Sequence, residues 1–115
     1  MGISTHILDT ALGRPVFNVA LKLFEFRDNV AGGAWHEIGS GRTDADGRCK
    51  TLLGAHSLRA TDYKLYFSTS EYFYSQKQPW LYPYVEIVFT VADPEQHYHI
   101  PLLLTANSYT TYRGS

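Results

Sequence analysis

The sequence predicts a mainly β protein, an antiparallel β-sandwich with one short helix. Three observations carry that prediction. Apolar and polar residues alternate with period two through most of the chain, turn dipeptides interrupt the alternation at short intervals, and helical spacing is almost absent. The final residues, Ser108-Tyr109-Thr110-Thr111-Tyr112-Arg113-Gly114-Ser115, extend the same pattern to the last position. Chain ends usually fray into polar, mobile residues, so a terminus written in Tyr and Thr predicts a paired strand. Arg113, Gly114 and Ser115 then have a fixed place in the fold, with the α-carboxylate of Ser115 available to a site.

In chain order, the first expected strand is Ile3–Leu8, with His6 on the face opposite Ile3 and Ile7. The second runs from Val16 to Phe26, placing Phe17, Val19, Leu21 and Leu23 inward and Asn18, Ala20 and Lys22 outward. Strands follow at Trp35–Thr43, Arg48–Leu53 and Tyr63–Ser68. Ser70 is placed to cap a short helix over Glu71-Tyr72-Phe73-Tyr74-Ser75-Gln76-Lys77, which Pro79 interrupts. Tyr84–Val91 alternates again, with Val85, Ile87, Phe89 and Val91 inward. His97–Leu104 and Ser108–Tyr112 complete the set. Turn chemistry joins these segments at Leu12-Gly13-Arg14-Pro15, Ala31-Gly32-Gly33, Asp44-Ala45-Asp46-Gly47 and Ala92-Asp93-Pro94.

Composition excludes several classes. With 115 residues the chain suits one domain over 1–115, long enough for one core. A hydrophobic content of 44% is too high for a disordered chain, and a net charge of −1 offers no basic face to nucleic acid. The lone Cys49 cannot form an intramolecular disulfide and is read as packing. No 18-residue apolar run or charged-then-apolar leader is present, so the expectation is a cytoplasmic protein with no membrane partner. A Gly-x-Ser-x-Gly elbow and a phosphate-cradling loop are both missing, which disfavours serine hydrolysis and nucleotide chemistry.

The candidate chemistry lies in histidine and arginine. Strict alternation in His97-Tyr98-His99-Ile100-Pro101-Leu102-Leu103-Leu104 puts Tyr98, Ile100, Leu102 and Leu104 on the core face, and His97, His99 and Pro101 on the other. Two histidines on one strand face are ordinarily solvent-facing polar residues. A zinc reading competes and needs a third ligand, for which His6 is available. Arg48 follows the turn dipeptide Asp46-Gly47, so it should begin a strand at the rim of a sheet, where its ordinary role is that of a solvated arginine.

Several motifs resemble the transthyretin-related family, and more specifically its enzyme branch, the 5-hydroxyisourate hydrolases. They are Thr5-His6-Ile7-Leu8-Asp9-Thr10 with Gly13-Arg14-Pro15, Thr43-Asp44-Ala45-Asp46-Gly47-Arg48, Pro83-Tyr84-Val85-Glu86-Ile87-Val88-Phe89, the His97–Leu104 run, and the terminal Tyr112-Arg113-Gly114-Ser115. Hormone-carrying transthyretins share the sandwich but do not end in Tyr-Arg-Gly-Ser, and they carry other residue types at His6, Arg48 and His99. Departures from the enzyme pattern are Thr105-Ala106-Asn107, where a Ser-Pro turn is common, and a slightly long loop over Val30–Trp35.

The resemblance implies a transthyretin-like sandwich in a homotetramer, a dimer of dimers with sites in a channel at the dimer–dimer interface. It implies hydrolysis of 5-hydroxyisourate without a metal or organic cofactor, which sets the zinc reading aside. His6, Arg48 and His99 would be catalytic. His6, Arg48, Tyr112 and Ser115 would bind substrate, with His97, Arg113 and Gly114 in support. Either His6 or His99 would serve as base for water, the other orienting it or the substrate, while Arg48 stabilises the oxyanion. Lack of a Ser-Lys-Leu address tilts the expected setting to a bacterial cytoplasm. A small-ligand carrier is the alternative, and an adhesive sandwich with incidental surface residues a third.

Overall fold

The computed structural model describes residues 2–29, 31–54 and 56–114. Its elements are β1 (Gly2–Asp9), β2 (Arg14–Pro15), β3 (Ala20–Arg27), β4 (Ala34–Arg42), β5 (Asp62–Phe67), α1 (Thr69–Ser75), β6 (Val85–Thr90), β7 (His97–Thr105) and β8 (Ser108–Thr111). They form two four-stranded sheets, ordered β2-β1-β7-β8 and β4-β3-β5-β6. The inner strands and β6 give one face to the space between the sheets, which Ile7, Leu102 and Leu104 fill from the first and Leu21, Leu23, Tyr63, Leu65, Phe67 and Val85 from the second. Burial of each such side chain stabilises by about 1.5–3 kcal/mol.

The mainly β sandwich with one short helix agrees with the sequence, and the His97–Leu104 alternation holds residue by residue on its core face. Four local expectations are corrected. The sheets are not wholly antiparallel, because β1 and β7 pair in parallel with Ser4 beside His99 and His6 beside Pro101. Alternation reports which face a residue takes and carries no information about strand direction.

The second strand begins at Ala20 rather than Val16. Asn18 has φ 67°, in the left-handed region, and this breaks the alternation. Val16 is therefore fully buried and Phe17 is 64% exposed, the reverse of expectation at Phe17. The Thr43 hydroxyl fixes the irregular stretch by accepting from Val19 N–H at 2.9 Å and donating to the Val16 carbonyl at 2.7 Å.

Arg48–Leu53 is not a strand. One oxygen of the Asp44 carboxylate accepts the N–H groups of Asp46 and Arg48, and the Arg48 carbonyl accepts Asp44 N–H, so the segment closes on itself. It then packs against β4 where β4 has no side chains. A Cβ on Gly39 would stand 1.7 Å from the Leu52 carbonyl oxygen, and one on Gly41 would stand 2.6 Å from Cys49 Sγ. Cys49 is a packing residue, as its pattern suggested.

The helix starts at Thr69, with Ser68 rather than Ser70 at its boundary; Ser68 donates its hydroxyl to Glu71 at 2.8 Å. Tyr72 and Phe73 bury the inner face of α1. The Tyr72 hydroxyl donates to one oxygen of buried Asp9 at 2.6 Å, while the other oxygen accepts the Ala11 and Leu12 N–H groups at 3.0 Å. Burial, with the Asp9 carboxylate adding to it, pushes the Tyr72 phenol up to about 12. No helix among the described residues is long and apolar enough to cross a membrane.

Candidate active site

The site is assembled on the outer face of the first sheet by the β1–β7 register. Residues paired in that register share a face, so Ser4 and His6 from β1 lie with His97, His99 and Pro101 from β7. Ser4 Oγ stands 2.8 Å from His97 Nε2 and 2.7 Å from His99 Nδ1. His99 Nε2 has no hydrogen-bond partner among the described residues. His6 and His99 are half-buried, whereas His97 is exposed.

Arg48 comes to this face from the loop after β4 rather than from a strand. The Gly47 carbonyl accepts Ile7 N–H at 2.9 Å, which ties the turn to β1 one residue beyond His6. Gly47 has φ +77°, and a Cβ there would lie 2.5 Å from the Ile7 carbonyl oxygen and 3.3 Å from His6 Cδ2. Glycine is required on both counts, and it lets the Arg48 turn close over His6.

The last residues come in beside β7. An isolated antiparallel bridge joins Gly114 to His99, with Gly114 N–H donating to the His99 carbonyl at 2.7 Å. Arg113 donates to Gln96 at 2.8 Å and to the His97 carbonyl at 3.3 Å, its guanidinium 4.3 Å above the Tyr98 ring. Tyr112 is exposed just past β8, and Ser115 lies outside the described residues.

Electrostatically the face is cationic around a half-buried imidazole. Burial holds His99 below the usual histidine value, and the charges of Arg48, His6 and His97 push it in the same direction. The arrangement thus keeps His99 neutral where an ordinary histidine begins to charge, beside a permanent guanidinium cation. Among the described residues no three His, Cys, Asp or Glu side chains gather to hold a metal.

His6, Arg48, His97, His99 and Gly114 are thus brought together, and Arg113 anchors the terminal segment without pointing into the cluster. Sequence reasoning missed Ser4, which links the two histidines, and Gln96, which anchors Arg113. The signal for Ser4 is its place on the same strand face as His6, two residues away, but only the parallel register turns that into contact with β7. The face is open, with Arg48 and His97 exposed, and a concavity of about 340 Å³ lined by Arg14, Phe17, Arg42 and Tyr72 includes none of these residues.

A two-sheet sandwich of this order with a polar, cationic outer face falls in the transthyretin-like class. The HIUase/Transthyretin family model matches residues 3–114, and the chain belongs to that family. It is 43% identical over 113 residues to a 5-hydroxyisourate hydrolase of Mus musculus, covering 98% of this chain and 94% of that protein. Among solved structures it resembles the 5-hydroxyisourate hydrolase of Klebsiella pneumoniae, with a TM-score of 0.81 and 30% identity over 98% of each chain. It also resembles sea bream transthyretin in complex with thyroxine, with a TM-score of 0.86 and 34% identity, over 97% of this chain and 93% of that one. The backbone is common to a 5-hydroxyisourate hydrolase and to a transthyretin in complex with thyroxine, so the distinction rests on side chains.

Proposed function

We propose that this chain, as a single transthyretin-like domain, hydrolyses 5-hydroxyisourate to 2-oxo-4-hydroxy-4-carboxy-5-ureidoimidazoline in urate and purine catabolism. The observation that carries the reading is a half-buried His99 whose neutral form is favoured by burial and by Arg48. Hydrolase relatives support it. In this reaction the water oxygen bonds to the ring carbonyl carbon, the adjoining C–N bond of the six-membered ring breaks, and the nitrogen leaves with a proton.

His99 suits the role of base because its Nδ1 is held by Ser4 and its Nε2 has no partner among the described residues; a positioned general base contributes about 10²–10⁴-fold. Arg48 presents a planar donor fork to the oxyanion. His6 orients the substrate or water, and Tyr112 and Ser115 complete the binding site. His97, Arg113 and Gly114 support it. No metal or organic cofactor is called for, since the water needs a base and the oxyanion a cation, and side chains supply both.

The finer reading includes a homotetramer, a dimer of dimers, in a bacterial cytoplasm. Support for assembly comes from β6 and β8, which are edge strands carrying or adjoining exposed Tyr84, Val88, Tyr109 and Tyr112. An open catalytic face also gains its enclosure from a second copy.

The test is the ultraviolet decay of freshly made 5-hydroxyisourate with and without catalytic amounts of chelator-treated protein. A clear acceleration over the spontaneous rate is the expected result. An unchanged rate from a folded, assembled protein would favour a carrier of a small aromatic ligand, to be followed by binding assays. Chargeable groups at the site argue against an apolar ligand of that kind.

A further inference from the structure

The Ser4 hydroxyl lies between two imidazoles, 2.8 Å from His97 Nε2 and 2.7 Å from His99 Nδ1, and it has only one proton to donate. The hydroxyl proton finds no other acceptor among the described residues, so both contacts and that proton are used together when the hydroxyl donates to one ring and accepts from the other. If Ser4 donates to His97 Nε2, that ring is protonated at Nδ1, and His99 must donate its own Nδ1–H to Ser4. If Ser4 donates to His99 Nδ1, both rings carry their proton on Nε2. In either of these arrangements the two neutral histidines share one tautomer, because one meets the hydroxyl through Nε2 and the other through Nδ1; a hydroxyl accepting from both would set them in different ones.

We propose that Ser4 is a positioning residue that couples the protonation of His99 to that of His97 and passes a proton between them. In the state with both rings protonated at Nδ1, the His99 Nε2 lone pair is free to take a proton from water. His99 Nδ1–H then moves to Ser4 Oγ as the Ser4 proton moves to His97 Nε2. His99 is left neutral with its proton on Nε2, now a donor for the departing nitrogen, and His97 is left as imidazolium. His97 is exposed and holds the charge until the C–N bond breaks; then His99 gives its Nε2 proton to the departing nitrogen as the Ser4 proton returns to His99 Nδ1 and the His97 Nε2 proton to Ser4, which restores both rings to their Nδ1-protonated neutral forms.

The groups facing the relay favour this direction. Arg48 and His6 oppose positive charge on the His99 ring, as does His97 itself. Arg113 is occupied with Gln96, the His97 carbonyl and the Tyr98 ring. Half-buried His99 thus bears a charge poorly, whereas solvated His97 can hold one. The proposal rests on the reading of His99 as base, and its test has an arm that needs no substrate.

That arm is long-range ¹H–¹⁵N correlation of the histidine rings in the assembled protein, labelled at histidine nitrogen, across a pH titration. The wild type should show His97 and His99 in one shared tautomer. Ser4→Ala should release them to different tautomers or uncouple their titrations, and Ser4→Thr should restore the wild-type pattern by restoring the hydroxyl. The second arm is the pH profile of kcat/KM, where Ser4→Ala should lose about ten-fold or more with a displaced acid limb, and Ser4→Thr should recover most of it.

Different tautomers in the wild type overturn the proposal, as does a Ser4→Ala protein whose rings and pH profile match the wild type. If Ser4→Ala fails to fold, His97→Gln serves instead: it keeps a hydrogen-bonding group but cannot titrate. It should then move the His99 titration and the acid limb together, and an unmoved pair overturns the relay. A wild type that leaves 5-hydroxyisourate decay unaltered sinks the hydrolase reading alone, since the tautomer arm is read without substrate.

Discussion

Gly114 packs flat against the imidazole of His99: a Cβ at Gly114 would stand 2.5 Å from His99 Cδ2 and 3.2 Å from Cγ. The terminal segment therefore sets the tilt of the ring as well as its backbone. Gly114→Ala should push His99 away and lower kcat/KM by about 100-fold, the scale of a misplacement of about 1 Å. Melting temperature should change little, because the bridge lies outside the core. Steady-state kinetics with a parallel thermal melt checks both halves, and an alanine variant of full activity would remove Gly114 from the positioning of His99.

Arg48 reaches the site on a loop whose carboxylate clasp at Asp44 leaves the guanidinium exposed. Its removal should affect catalysis and spare the fold. Arg48→Ala should cost about 2.7–4 kcal/mol of transition-state stabilisation, read as kcat/KM. Arg48→Lys should recover only part of that loss, because an ammonium replaces charge without the planar fork. Full recovery by lysine would mean that Arg48 acts as a point charge.

How much of this was legible in the sequence depends on the distance over which each feature is specified. Local alternation gave the faces of Tyr98, Ile100, Leu102 and Leu104 and the placing of His97 and His99 opposite them, since side-chain period depends on the strand alone. It failed at Phe17 because a left-handed Asn18 resets the period, and polar Asn gives no hydrophobic signal of that. It failed over Arg48–Leu53 because the glycines that receive this segment, Gly39 and Gly41, lie earlier in the chain on β4. The Ser4–His99 contact joins residues 95 apart and depends on a parallel register that no local pattern encodes. His6, Arg48 and His99 were named as a set only through the family resemblance, because their proximity is a property of the folded chain.

The pH dependence should follow His99. Its value in the folded protein lies below the ordinary 6.5, first by burial and then by the charge of Arg48. Between those two values the unfolded chain binds a proton that the folded one does not, so stability falls as pH drops through 6.5 and the loss is complete below the folded value. For the same reason the acid limb of kcat/KM should have its midpoint below 6.5. Arg48→Ala removes one of the opposing charges and should raise the midpoint of the residual activity. A limb that stays put in that variant would detach Arg48 from the titration of His99.

Acid stability should be governed by a second cluster at the far end of β3. Glu25 is 1% exposed, yet all of its acceptor capacity is used: Arg27 and Arg59 donate to one oxygen at 2.9 and 3.1 Å, and Tyr63 donates to the other at 2.8 Å, with His56 3.1 Å from that same oxygen. Burial by itself would raise this carboxylate, but the hydrogen bonds from Arg59, Arg27, His56 and Tyr63 outweigh it and lower Glu25 from 4.5 to about 2. At 1.36 kcal/mol per pKa unit that is worth roughly 3 kcal/mol of folding free energy. The contribution is fully present above 4.5 and is lost as pH falls through about 2. Glu25→Gln should therefore destabilise by about 3 kcal/mol at pH 7, at the low end for a broken buried pair because the arginines are partly solvated. In denaturant titrations the gap between wild type and variant should close as pH approaches 2. A gap that stays constant with pH would mean that the variant's cost is one of packing, with Glu25 contributing no more stability charged than neutral.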